Sequence, residues 1–119
     1  MDAERLVEEL AHRLYEQQEL LEEARRAISL ARAGGKVSFD DTVRLLRMNR
    51  ERIMNSLGFF DLKQGSEDLF ALVGYYLEVA SRNEKEVLIE LSQFVNVNED
   101  LEVLDRTRQM AKEILERLF

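Results

Sequence analysis

From Ala3 onward the chain repeats apolar residues in alternating steps of four and three: Ala3, Val7, Leu10, Leu14, Gln17, Leu21, Ala24, Ile28, Ala31. That spacing keeps one stripe of an α-helix turned toward a neighbour. It predicts a helix over about residues 3–33, with Asp2 as N-cap and Gly34-Gly35 as the stop. Val7, Leu14, Leu21 and Ile28 form the bulky half of the stripe. The other half is mostly small, which lets a neighbour approach closely. Leu6, Leu20 and Ala27 widen the stripe to one side, as a bundle requires.

A second helix is predicted over about residues 39–57, with Ser38 and Asp41 resembling a capping box and Gly58 ending it. Its stripe is Phe39, Val43, Leu46, Arg50, Ile53, Leu57. The third is predicted over about residues 67–95. Its stripe Phe70, Val73, Leu77, Ala80, Glu84, Val87, Leu91, Phe94 runs in unbroken register through Ser81-Arg82-Asn83. The alternative is a break near Asn83, which with Glu86 could cap a fifth helix. The fourth is predicted over about residues 99–118, with Glu99 and Asp100 set favourably against the helix dipole. Its inner face is Leu101, Leu104, Thr107, Ala111, Ile114, Leu118. The fold class is therefore all-α, an antiparallel four-helix bundle forming one domain over residues 1–119.

The predicted lengths are unequal: about 45 Å for the first and third helices against about 30 Å for the others. Overhanging apolar stripe needs cover, so the pattern predicts a homodimer or another protein partner. The residues expected to set such contacts are Val7, Leu14, Gln17, Leu21 and Ile28, with Arg44, Arg47, Arg50, Phe59, Phe60, Glu84 and Arg108. Phe59 and Phe60, adjacent in a connection, are expected to plug one end of the bundle; the other reading is an exposed docking element. Gln17, Arg50 and Glu84 interrupt apolar stripes. Polar groups at such positions fix register and partner choice more often than they do chemistry. Glu84 is expected to pair with Arg108.

Composition supports this picture. The 119 residues are 45% hydrophobic, with no proline and five glycines. No cysteine is present, which excludes disulfides and thiolate chemistry and points to the reducing cytoplasm. No apolar run is long enough to span a bilayer, and the first residues lack a secretion-signal pattern. The net charge of −7 speaks against nucleic acid. Charge is uneven, however: residues 25–52 carry eight basic and three acidic side chains. That run is read as a solvated face, with Asp40 and Asp41 beside Arg44. The sharper reading is a docking surface for an acidic partner.

Candidate chemistry is sparse. Glu9, His12 and Glu16 share one helix face, and Glu9 with His12 has the spacing of a di-iron ligand pair. A second pair and further inward carboxylates are missing, so a surface histidine is expected. Arg13-Leu14-Tyr15-Glu16 lacks the Lys-Gly step of phosphotransfer domains. Glu19, Glu22 and Glu23 with Glu102 and Asp105 could in principle hold magnesium, but such coincidences arise easily among 24 acids. No nucleophile-base arrangement or phosphate loop is present. No metal, cofactor or catalytic residue is assigned, and the expected function is non-enzymatic.

The later part of the chain resembles flagellar export chaperones of the FliS type, small acidic bundles that wrap an unfolded flagellin tail. The likeness rests on Ile53 to Leu57, Gly65-Ser66-Glu67, Leu72 with Tyr75-Tyr76-Leu77 and Ala80, and Asp100-Leu101-Glu102-Val103-Leu104. That family has Gly-Gly-Glu where this chain has Gly-Ser-Glu, and a tyrosine-bearing N-terminal segment not found here. The resemblance implies a chaperone or adaptor rather than an enzyme.

Overall fold

A computed structural model describes residues 3–59 and 67–117. Four helices account for the architecture. α1 is Ala3–Arg32 and α2 is Asp40–Gly58. α3 occupies 67–91 and is built of three pieces, an α-helical Glu67–Tyr75, a π-helical turn Tyr76–Ala80 and an α-helical Ser81–Leu91. α4 is Asn98–Glu116. The chain packs into a rod of 52 × 22 × 18 Å. Among the described residues no helix is long and apolar enough to cross a membrane.

α1 ends where its glycines predict. Gly34 has φ of +90°, a conformation that costs glycine little and other residues more. Its N–H donates to Ala31 O at 3.1 Å, and the Gly35 N–H donates to Leu30 O at 2.9 Å. This is a Schellman closure that satisfies two terminal carbonyls. A Cβ at Gly35 would lie 2.9 Å from Leu30 O, so both glycines are needed. α2 begins one residue later than predicted. Phe39 is its N-cap and no side-chain hydrogen bond caps it, so the expected Ser38–Asp41 box does not form. Asp2, Phe60, Ser66 and Leu118, and the side chain of Ala3, lie outside the described residues.

α3 does not break at Asn83. The departure from α geometry comes a turn earlier, at Tyr76–Ala80. There the Ser81 N–H reaches back five residues to Tyr76 O. The Ser81 hydroxyl donates to Leu77 O at 2.8 Å, giving that carbonyl a partner within the turn. An added residue in one turn rotates everything before it relative to everything after. Leu69 and Tyr76 are buried where Phe70 and Leu77 were expected, and those two are only half-buried. Past the turn the predicted stripe holds at Glu84, Val87 and Leu91. The helix ends at Leu91 rather than Val95.

Gln17 Nε2 donates to Ala80 O at 3.3 Å, and Arg32 Nη2 donates to Gln93 Oε1, also at 3.3 Å. α1 and α3 therefore lie side by side in the same sense. Two apolar clusters fill the interior. One joins Leu6, Leu10 and Leu14 to Ile53, Leu57, Leu69, Val73, Tyr76 and Ala111. The other joins Leu21, Ala24 and Ile28 to Phe39, Val43, Leu46, Val87, Leu91 and Leu104. Phe39 closes the second cluster by stacking on Phe94, ring centres 5.1 Å apart.

These clusters correct the length argument. Leu10, Leu14, Gln17, Leu21, Ala24 and Ile28 are all buried by the chain's own helices. On α3 only Phe94, beyond the helix end, is exposed among the predicted stripe positions. With α3 shorter than predicted, α2 and α4, at 19 residues each, shelter the stripes. Among the described residues the α1 and α3 stripes leave no exposed overhang on either helix.

Candidate functional site: a buried ionic network at the α2–α3–α4 crossing

Between the two apolar clusters lies a polar layer. The α2 stripe places Arg50 inward at the step between Leu46 and Ile53, and the α3 stripe does the same for Glu84. Arg50 Nε donates to Glu84 Oε2 at 3.0 Å, and Arg50 Nη1 donates to Asp100 Oδ1 at 2.9 Å. All three side chains are buried, at 3% exposure or less. Arg47, one turn before Arg50, completes the set. Its Nε and Nη2 reach the two oxygens of Asp100 at 2.8 and 2.9 Å. This is the paired-fork geometry that makes arginine–carboxylate contacts strong.

Two cations thus meet two carboxylates, and the layer is formally neutral. Buried charges demand such pairing, because desolvation would otherwise be prohibitive. The two carboxylates respond differently. Burial pushes Glu84 above the usual carboxylate range, although Arg50 pulls the other way. Burial acts in the same upward direction on Asp100, but hydrogen bonds from Arg47 and Arg50 outweigh it and hold Asp100 low. The Tyr76 hydroxyl is pushed well up, first by burial and then by Glu84. The Tyr76 hydroxyl and Arg50 Nη2 make no hydrogen bond among the described residues. Gln17, also buried, closes the layer from α1 through its bond to Ala80 O.

Outside this layer an open cleft of about 290 Å³ lies between α2 and α4, lined by Arg47, Arg50, Glu51, Met54, Glu99, Asp100 and Val103. Its walls carry charge of both signs. Arg47 and Arg50 are engaged there by Asp100 and Glu84, and Glu51 and Glu99 are exposed on its walls.

The structure distributes the sequence candidates as follows. Leu14, Gln17, Leu21 and Ile28 are interior and Val7 is half-buried against the first cluster, so these side chains pack within the chain's own core. Glu84 pairs with Arg50, not Arg108. Arg108 is half-buried on α4, and its Nε makes no hydrogen bond among the described residues. Arg44 is exposed and bonds Asp41 at 3.3 Å, in line with a solvated face. Of the basic run, Arg50 is buried in the network and the half-exposed Arg47 is engaged there by Asp100, while Arg25, Arg26, Arg32, Lys36, Arg44 and Arg52 are exposed. Phe59 is 57% exposed and does not plug the bundle; Phe60 lies outside the described residues. Glu9 and Glu16 clamp Arg13 at 2.8 and 2.9 Å and do not join His12. Among the described residues no three histidine or acidic side chains come together to hold a metal ion.

Asp100, expected from the sequence only to complement the helix dipole, joins the network at the start of α4. Stepping back four residues from Leu104 lands on it, so the inner stripe of α4 already pointed there. Positions behind the likeness to export chaperones, including Ile53, Leu57, Tyr76, Ala80, Asp100 and Leu104, are buried, and packing of this bundle accounts for them. No protein-family model, curated protein or solved structure matches the chain.

Proposed function

We propose that this protein is a cytoplasmic, non-enzymatic helical interaction module, acting as an adaptor, regulator or chaperone and associating with a second copy of itself. Its successive helices alternate in direction, as an antiparallel bundle. The observation that carries this reading is a contrast between inside and outside. Arg50, Glu84 and Asp100 are buried and paired with one another, and the half-exposed Arg47 completes their neutralisation. The surface, in contrast, keeps large apolar side chains in view, among them Tyr15, Leu30, Phe59, Tyr75 and Ile89 at 45–63% exposure. A chain with a complete core of its own gains nothing for folding from these, and exposed aromatic and aliphatic groups are what protein interfaces use.

Light scattering on the full chain at micromolar to submillimolar concentration tests the reading. A mass that rises with concentration supports it. A constant monomer mass, together with heat on titrating Mg²⁺, Mn²⁺ or Zn²⁺, would turn the assignment toward a metal-dependent enzyme.

A further inference from the structure

α1 turns its outermost line of side chains, opposite Leu21, Ala24 and Ile28, to solvent along its whole length. Read in order, that line is Tyr15, Glu19, Glu22, Arg26, Leu30, with Glu23 beside it, and every one of these residues is exposed. The two ends are apolar and open, Tyr15 at 63% and Leu30 at 55% exposure. They stand fifteen residues apart, about 22 Å along the helix. Within them come an acid, Glu19, and a base, Arg26. Among the described residues Arg26 has no ion-pair partner within 4.0 Å, in common with Arg25, Arg52, Arg106 and Arg117, whereas Arg13 and Arg32 on the same helix each have one. The Tyr15 hydroxyl bonds Glu19 one turn on.

About the midpoint between Glu22 and Glu23, Tyr15 and Leu30 stand at equal distances and so do Glu19 and Arg26, so these four positions are complementary to their own reverse. We propose that this face is a two-fold self-association surface, in which α1 of one copy lies antiparallel against α1 of another. Such an interface uses the same patch on both copies. In this register Tyr15 of each copy meets Leu30 of the other, and Glu19 meets Arg26, each contact occurring twice. The axis passes between Glu22 and Glu23, where like charges approach one another and limit the affinity. A single pair of helix faces falls below the usual size of a stable interface, so the complex belongs to the weak, concentration-dependent class. This inference rests on the interaction-module reading and supplies its partner. The occupant is a second copy, because Glu19 and Arg26, flanked by Tyr15 and Leu30, stand symmetrically about the midpoint of the face, so that its reverse sets opposite charges together.

The test is sedimentation equilibrium on four full-length chains: wild type, E19R, R26E and the double variant E19R/R26E. All the changes are at exposed positions, and circular dichroism confirms that each chain stays helical. Each single reversal sets like charges together twice per dimer and is expected to weaken association about tenfold. The double variant restores both pairs with their signs exchanged and is expected to return to within about threefold of wild type. Single reversals that leave association unchanged, or a double variant no better than either single one, would overturn this surface while a wild-type dimer kept the module reading intact. A wild type that stays monomeric throughout would remove both. Neutralising the axis with E22Q/E23Q should tighten the dimer; weakening it would contradict the register.

Discussion

Arg50 and Glu84 form an ion pair at 3.0 Å in which neither side chain is more than 3% exposed. The pair ties the middle of α2 to the middle of α3. Asp100 ties the same guanidinium to the start of α4, at 2.9 Å. Three helices are thus referenced to one buried side chain. Apolar residues slide past one another at small cost, whereas a buried charge tolerates one register only.

Removing one partner should therefore cost more than removing both. R50M leaves the Glu84 and Asp100 carboxylates without their shared cation in a desolvated layer, and a loss of about 3 kcal/mol is expected. The double variant R50M/E84L replaces the pair with apolar groups and should recover most of that loss. Urea unfolding followed by circular dichroism measures both. A double variant less stable than R50M would show that the pair itself contributes strongly to stability.

Acid should unfold the bundle through Asp100. Its folded-state pKa lies below the ordinary carboxylate value, so it stabilises the fold fully above about pH 4. That contribution is lost as the pH falls further, through the folded value. Glu84 has the opposite sign. Its raised pKa means that protonation on acidification relieves a penalty, which partly offsets the loss. Thermal melts of wild type from pH 7 to pH 3 should show a fall concentrated below about pH 4. The variant D100N should start less stable and show a flatter profile.

The closure of α1 predicts a backbone effect with no side-chain contact involved. Gly34→Ala forces a Cβ into a positive-φ position and should cost about 1 kcal/mol. Gly35→Ala should cost at least as much, because its Cβ meets the carbonyl of Leu30. Equal melting temperatures for wild type and both variants would contradict this closure.

The π turn predicts a dependence on Ser81. S81A removes the donor to Leu77 O inside a buried layer and should destabilise by about 1–2 kcal/mol. S81T keeps a hydroxyl and should keep the bond, at some cost in packing. Backbone amide exchange across Tyr76–Ala80 should quicken in S81A and stay slow at Leu88 and Leu91.

Helix existence was legible from spacing alone, since the four-and-three repeat and the glycine stops are local signals. Pairing was not. Glu84 was assigned to Arg108 because their heights match along α3 and α4. The choice of Arg50 depends on how all four helices are arranged around the axis, which spacing does not encode. The π turn was invisible for a related reason. The residues Tyr76-Leu77-Glu78-Val79-Ala80 are ordinary helix formers, and the inserted residue shows only once Leu69 and Tyr76 are seen buried. Unequal lengths do not become overhang here, because α3 stops at Leu91 and the 19-residue α2 and α4 cover the stripes. Gln17, read as a polar interruption on α1, did prove to lie in the interior layer.

The central claim is association of the chain with itself through surfaces its own fold does not use. Sedimentation equilibrium of the wild-type chain, from about 10 to 500 µM to span the weak range expected of a small interface, tests it most directly beside a Y15S/L30S reference. The weight-average mass should climb toward twice the monomer for wild type and remain near the monomer for the reference. A wild type that holds the monomer mass at every concentration would contradict the account.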